Sequence, residues 1–436
     1  MPYRNAPVHP FLRFIYVLLR GLTYAGMQVF YRRRLVLGRG YARFDGPAIV
    51  VCNHPSTLMD PLNVGLQIRQ EMYFLANYGL FKHPVSNWLL SRLFCIPVKR
   101  REDVAEGEAR DNDAAFEASF QHLEKNGVLF IAAEGVSWMN RYVRPFKTGT
   151  ARIAFGAEKR NNWQLGVKII PVGLSYDAPR LFRSRVTIEY GAPIDPHPWA
   201  EADRQNHEQA VDDFTAAIQA RVRTLTLDSG NEAGDLFVQQ AETLMENAGN
   251  HLPAPQRYFT LKSFLAKNRE NEALKADFAD YFAQLEQNNL QDAGFSKGPY
   301  RRAGILLLLL FFPVFCAGYA CWFLPCFLPW LLCKKMKLYP GYDSNIKMLA
   351  GLFTFPLALW GGWEAVYAAT GNATVAWLSL PVFIALGYAA EGWADTWRRW
   401  RAGQQVFYFG RKAPDSAANL SRQRQALIQS LFSDAE

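Results

Sequence analysis

Two residues in the stretch Ile49–Asn63, IVVCNHPSTLMDPLN, have the types and spacing to move a proton together: His54 and Asp60. Ile49 to Cys52 reads as a buried strand and Asn53, His54 and Pro55 as the turn that leaves it. A helix then opens with Ser56 or Thr57 as its N-cap. A histidine carried at the end of a buried strand stands where reacting groups can meet it. A carboxylate six residues on can turn back to the ring and fix one imidazole tautomer. That leaves the other nitrogen free as a base and stabilises the imidazolium once a proton has been taken. The same two residues also fit a plainer reading, a turn histidine and a helix-start acid set against the helix dipole.

Three further constellations follow. In Ile96-Pro97-Val98-Lys99-Arg100-Arg101 a strand ends in a basic cluster, which can clamp a phosphate or lie as a solvated loop. In Phe130-Ile131-Ala132-Ala133-Glu134-Gly135-Val136-Ser137 a strand ends in a carboxylate followed by glycine. Glu134 could accept from a substrate hydroxyl and Gly135 could offer a backbone N–H; the alternative is an ordinary strand exit. In Ile169-Ile170-Pro171-Val172 a proline removes one ladder donor, which suits the wall of an acyl-chain groove or an edge strand.

The elements that must position these residues alternate strand and helix. Ile49–Cys52, Met72–Ala76, Ile96–Val98, Val128–Ala132, Val167–Leu174 and Val186–Tyr190 have strand character. Asp111–Lys125 and Thr148–Lys159 read as helices between them. The expected fold class is α/β, a layered domain over 46–197 with a mixed sheet flanked by helices. Residues 198–300 read as a charged helical insert, 301–400 as hydrophobic membrane hairpins and 401–436 as a polar tail.

The chain has 436 residues, a net charge of +9 and 50% hydrophobic residues, enough for two or three domains. Basic charge suits nucleic acid, phosphorylated ligands or an anionic membrane surface. The charge lies beside long apolar segments, so a membrane partner is expected and nucleic acid is not. The six cysteines show no CxxC spacing and four lie in an apolar run, so neither a metal site nor a disulfide framework is expected. Residues 1–45 read as interfacial helices and a basic linker. In Phe11–Phe30, Arg13 and Arg20 share one face, and Arg32, Arg33, Arg34, Arg39 and Arg43 follow, placed for lipid phosphates.

Ile305–Cys333 is apolar and interrupted by Pro313, Pro325 and Pro329. Met348–Thr370 and Thr374–Ala390 follow, around Gly371–Asn372. Basic residues flank each stretch: Arg301 and Arg302; Lys334, Lys335 and Lys337; Lys347; Arg398, Arg399 and Arg401. A re-entrant or two-pass hairpin bent at the prolines, followed by a helical hairpin, puts all of them on one side. The expectation is a membrane protein with its α/β domain on the cytoplasmic side.

The order NHPSTLMDP, IPVKRRED, FIAAEGVS, PFKTGTARIAF, IIPVG and VTIEYGAPI, over about Gly46–Ile194, resembles the phospholipid/glycerol acyltransferases of the lysophosphatidate acyltransferase type. The resemblance implies His54 and Asp60 as the catalytic pair. It matches Arg100, with Lys99 and Arg101 adjacent, to the arginine that meets the glycerol phosphate. Glu134 and Gly135 correspond to the pair that helps hold the acceptor, and Pro171 to the proline strand. Five residues separate His54 from Asp60 where the family usually has four. The longer spacing and the large hydrophobic C-terminal region are similar to the subset with fungal-type glycerol-3-phosphate acyltransferases. Ala133 and Ser137 replace the usual proline and arginine of the third block, leaving Arg141, Arg144 or Lys147 to supply the charge.

The implied reaction is direct acyl transfer from acyl-CoA or acyl carrier protein to a hydroxyl of glycerol 3-phosphate or 1-acylglycerol 3-phosphate, within phospholipid biosynthesis. It needs no cofactor beyond the thioester co-substrate. A transacylase or lipid hydrolase, and a non-catalytic membrane scaffold, are the competing classes; the lack of a Gly-x-Ser-x-Gly elbow speaks against a serine hydrolase.

Overall fold

The computed structural model describes residues 9–90, 92, 94–99, 112–232, 234–249, 252–296 and 303–432. Two compact units divide the chain: residues 1–232 with 339–345, and residues 233–338 with 346–436.

The first unit runs α1 (Pro10–Phe30), β1 (Arg33–Leu37), β2 (Ala48–Cys52), α2 (Met59–Gly65), β3 (Met72–Asn77), α3 (Pro84–Leu90), β4 (Cys95–Val98), α4 (Asp113–Glu124) and β5 (Val128–Ala132). It continues with α5 (Gly149–Arg160), β6 (Lys168–Tyr176), β7 (Arg185–Tyr190), α6 (Ala200–Gln205) and α7 (His207–Arg223). Seven strands form one mixed sheet in the order β1-β7-β6-β2-β5-β3-β4. Among the described strands only the β6–β7 pair is antiparallel. The parallel centre explains the sequence pattern. β2 is buried along its whole length, as a strand covered on both faces must be, whereas β7 alternates buried and half-buried residues.

Ile49, Val51, Leu129, Ile131 and Ile169 face a core shared with Leu123, Phe155, Phe214 and Val222 of α4, α5 and α7. The α/β unit therefore extends through α6 and α7. These were expected in a separate helical segment, but their apolar residues cover this sheet face. At the other face, the Tyr190 hydroxyl donates to the Val64 carbonyl of α2 at 2.7 Å.

The connection from β2 to β3 passes β5, and that from β5 to β6 passes β2, so the two leave in opposite directions. The carboxyl ends of β2 and β5, paired at Cys52 and Ala132, thus form a topological switch point, where α/β sheets open a crevice.

The stretch 1–45 is not all helix and linker. Arg33–Leu37 is strand β1, paired with β7 from Arg33–Arg185 to Leu37–Glu189. Arg34 turns inward, its Nε donating to Asn63 Oδ1 at 3.1 Å, instead of facing lipid. The arginine face of α1 is likewise turned to the domain. Arg13 pairs with Glu71 at 2.7 Å and Arg20 donates to the Leu66 carbonyl at 3.0 Å. Phe11, Phe14, Leu18 and Leu22 are left exposed on the helix.

The second unit holds α8 (Gly234–Asn247), α9 (Ala254–Lys267), α10 (Glu272–Gln287), α11 (Ala303–Met336), most of α12 (Asp343–Thr370), α13 (Ala373–Lys412) and α14 (Pro414–Phe432). Among the described residues, three helical stretches are long and apolar enough to cross a membrane: Gly304–Met336, Pro340–Thr370 and Ala373–Lys412. α11 is not built as two helices. It runs unbroken through Pro313, Pro325 and Pro329. Pro329 has no N–H for the Pro325 carbonyl one turn back, and Thr354 Oγ1 of α12 donates to it instead, at 3.1 Å. α12 and α13 meet at Gly371–Asn372, with Gly371 at φ +61° and the Asn372 side chain capping α13. The expected polar tail is helical: α14 buries Leu420, Leu427 and Leu431, and Arg424 reaches Asp292 at 2.7 Å.

Candidate active site

β2 delivers Asn53 to its carboxyl end, and Asn53 extends the sheet with its side chain. Its Oδ1 accepts from the Leu174 N–H at 2.8 Å and its Nδ2 donates to the Leu174 carbonyl at 2.9 Å. The turn that follows is pinned by residues leaving β5: the Trp138 N–H reaches the His54 carbonyl at 3.1 Å and Ser137 Oγ accepts from the Thr57 N–H at 3.0 Å. Neither Ser56 nor Thr57 caps α2. That helix begins at Met59 behind a turn closed by the Met59 N–H on the Ser56 carbonyl. Thr57 takes φ +46°, a left-handed conformation rare for a β-branched residue. This twist takes up the five-residue spacing and still returns Asp60 to His54.

His54 Nδ1 lies 2.9 Å from Asp60 Oδ2. That bond directs the other ring nitrogen, Nε2, away from the carboxylate, and the histidine side chain is 13% exposed. Asp60 is fully buried and well supplied with donors. Its Oδ2 also accepts from the Ser56 N–H at 2.8 Å, and its Oδ1 from the Tyr176 hydroxyl at 2.7 Å. Burial, with the Asp60 charge beside it, pushes the Tyr176 phenol well above its ordinary value, so Tyr176 keeps its proton and donates. Behind this bond, Asn63 Nδ2 donates to the hydroxyls of Tyr176 and Tyr31 at 3.2 and 3.3 Å, and its Oδ1 accepts from Arg34.

Glu134 leaves β5 beside the turn. Its Oε1 accepts from the His54 N–H at 3.3 Å, and burial lifts its carboxyl to about 8. At neutral pH it is mainly protonated and offers a donor as well as an acceptor. Gly135 occupies φ +77°, which favours glycine. Its N–H is taken by the Ala132 carbonyl at 3.1 Å, so the expected offer of that N–H to a ligand does not hold.

The other expected residues fall into three places. Lys99 follows β4 at the same end of the sheet, three strands from β2 or about 14 Å. Its backbone is held by Asn112 and its Nζ stands 5.6 Å from the Tyr78 ring centroid. Arg100 and Arg101 lie outside the described residues. Pro171 is buried in β6, a central strand; the edge-strand alternative does not hold. Its missing donor falls between the Ile169–Ile194 bridge and the start of the β7 ladder, where pairing is irregular in any case.

Of the three residues weighed for the lost third-block charge, Arg144 pairs with Glu232 and stacks over Trp138, 4.1 Å from its ring centroid. Arg141 donates to the Asp177 carbonyl at 3.0 Å. Lys147 is exposed, and its Cγ lies 3.4 Å from where a Cβ on Gly135 would stand.

The sequence reading missed Tyr176, Asn63, Ser56 and Thr57 as parts of this site. Tyr176 lies two residues past the expected strand Val167–Leu174 and reaches the site because β6 runs on to it and pairs with β2.

Residues 28–175 match the family model described as Acyltransferase. Glycerol-3-phosphate O-acyltransferase 1 of Saccharomyces cerevisiae is 28% identical over 192 residues, 42% of this chain and 25% of that protein. The chloroplastic 1-acyl-sn-glycerol-3-phosphate acyltransferase BAT2 of Brassica napus is 26% identical over 130 residues, 30% of this chain and 33% of that protein. Among solved structures, the 1-acyl-sn-glycerophosphate (LPA) acyltransferase PlsC of Thermotoga maritima aligns with a TM-score of 0.34 at 21% identity, over 48% of this chain and 82% of that one. The match thus spans about a quarter of the yeast relative's length. The residues that carry the His54–Asp60 pair, the Glu134 turn and Tyr176 stand in or immediately beside the matched region, which lies within the first unit of this chain.

Proposed function

We propose that this chain is a membrane-bound acyltransferase that moves a fatty acyl group from an acyl thioester to a hydroxyl of a glycerol phosphate, either glycerol 3-phosphate or 1-acylglycerol 3-phosphate. The observation that carries the reading is the His54–Asp60 pair at the carboxyl end of β2, inside the region that matches this family. His54 Nε2 takes the proton of the acceptor hydroxyl while Asp60 holds Nδ1, and Asp60 is itself held by Tyr176 and Ser56. The oxygen attacks the thioester carbonyl and an O–C bond forms. The tetrahedral intermediate then expels the thiolate as the C–S bond breaks, and His54 returns its proton to the leaving sulfur. Neutral Glu134 positions the acceptor, and Lys99, Arg100 and Arg101, with Lys147, meet its phosphate. The apolar helices anchor the chain in the membrane, with the α/β domain on the cytoplasmic side. The thioester is that of acyl-CoA or acyl carrier protein.

The test is acyl transfer in vesicles from either thioester to glycerol 3-phosphate, 1-acylglycerol 3-phosphate and phosphate-free lyso-lipids. His54→Ala is expected to lose about 10²–10⁴-fold, the range of a general base. Tyr176→Phe should lose about tenfold in kcat with KM unchanged, as the loss of one buried hydrogen bond to a charged group implies. Full activity in His54→Ala would remove the base assignment. Thioester cleavage without an acceptor would favour a hydrolase.

A further inference from the structure

The turn that carries His54 and Asp60 is held from three sides, and one of them is far away in sequence. Tyr339–Asn345 joins α11 to α12 yet belongs to the first unit. Ser344 is fully buried and its hydroxyl lies 3.2 Å from that of Ser56. Asn345, 6% exposed, donates from Nδ2 to Thr57 Oγ1, and that hydroxyl in turn donates to the Gly341 carbonyl at 3.2 Å. The two residues gripped here are the two whose backbones fix Asp60. The Ser56 N–H donates to Asp60 Oδ2, the oxygen that also holds His54, and the Thr57 carbonyl accepts from the Asp60 N–H at 3.3 Å. Thr57 is also the residue at φ +46°. A β-branched side chain stays in that region only where its surroundings over-determine it. Ser137 holds its N–H, and Gly341 and Asn345 hold its hydroxyl.

We propose that Ser344 and Asn345 are positioning residues for acyl transfer. Through Ser56 and Thr57 they set the place of Asp60 and thereby the orientation of His54. The strap between two membrane-type helices is thus a structural part of the site. This inference rests on the acyl-transfer reading for its kinetic arm only.

The test is made on the full chain in vesicles with Asn345→Ala, Ser344→Ala, Thr57→Val and the double variant Thr57→Val/Asn345→Ala. Each single variant is expected to lower kcat about tenfold while both KM values stay within about twofold. The double variant should be no slower than the worse single one, because both remove the same contact. Thr57→Ser, which keeps the hydroxyl, should recover most of the rate. On the same proteins, amide hydrogen exchange of the peptide covering 53–60 should be at least about tenfold faster in Asn345→Ala and Ser344→Ala at an unchanged melting temperature. Wild-type kcat in Asn345→Ala, additive losses in the double variant, or a loss confined to KM would overturn the proposal. If the wild-type chain transfers no acyl group, the acyl-transfer reading fails, and exchange alone decides the strap: unchanged protection of 53–60 would refute it.

Discussion

Glu134 shows how one buried side chain ties the chemistry of the site to the stability of the fold. Its carboxyl stands at about 8 in the folded chain because burial penalises the charged form more than the His54 N–H favours it. The ordinary value is 4.5, so between 4.5 and about 8 the native state binds a proton that the unfolded chain releases. Stability must therefore fall as pH rises through that window; below it both states are protonated, the slope vanishes and the contribution is fully present. Wild type should lose stability steadily across the window in denaturant titrations. Glu134→Gln, which is neutral throughout, should show a flatter profile. An equal slope in the two proteins would mean that Glu134 is charged in the native state.

At the scale of elements, prolines inside apolar helices and arginines on α1 are explained by who receives their unsatisfied groups. Pro329 leaves the Pro325 carbonyl without its helical donor, and Thr354 replaces it. In an apolar medium an unpaired carbonyl costs several kcal/mol, so a neighbouring helix must answer it. Thr354→Val should lower stability in detergent by about 1 kcal/mol. The same substitution in a Pro329→Ala background, where the helix regains its own N–H, should be close to neutral. Unfolding of the four proteins, followed by circular dichroism, measures this coupling. The sheet obeys the same accounting: Asn53 replaces ladder bonds with its side chain where β2 ends, which leaves His54 clear of the strand.

At the scale of the whole molecule, a net charge of +9 is combined with an exposed apolar stripe on α1 and three apolar helices in the second unit. The arginines of α1 are spent on Glu71 and Leu66, so the stripe, Phe11, Phe14, Leu18 and Leu22, is the face α1 presents outward. A stripe of this kind suits the acyl boundary of a bilayer. Phe14→Glu with Leu18→Glu should leave the melting temperature within a few degrees. In the same variant, transfer to acceptors embedded in vesicles should drop at least about fivefold, with little change for water-soluble glycerol 3-phosphate. Equal losses on both acceptors would assign α1 a structural role only.

Much of this was legible before any fold was drawn. Six of the seven strands lie within a residue or two of the apolar runs, because a strand must be apolar on whichever of its faces is buried. β1 was not legible: Arg33-Arg34-Leu35-Val36-Leu37 has the look of a basic linker, and only its pairing with β7 makes it a strand. His54, Asp60 and Glu134 could be singled out by type, spacing and place at strand ends. The sequence by itself therefore determined where these six strands lie to within a residue or two, since periodicity and strand-end chemistry are local properties of the chain. Tertiary structure alone decided that Tyr176 stands behind Asp60 and that a segment nearly three hundred positions away holds Ser56 and Thr57. Those contacts depend on strand order and on the return of a distant segment, and no local pattern encodes which groups will meet once the polypeptide has closed on itself.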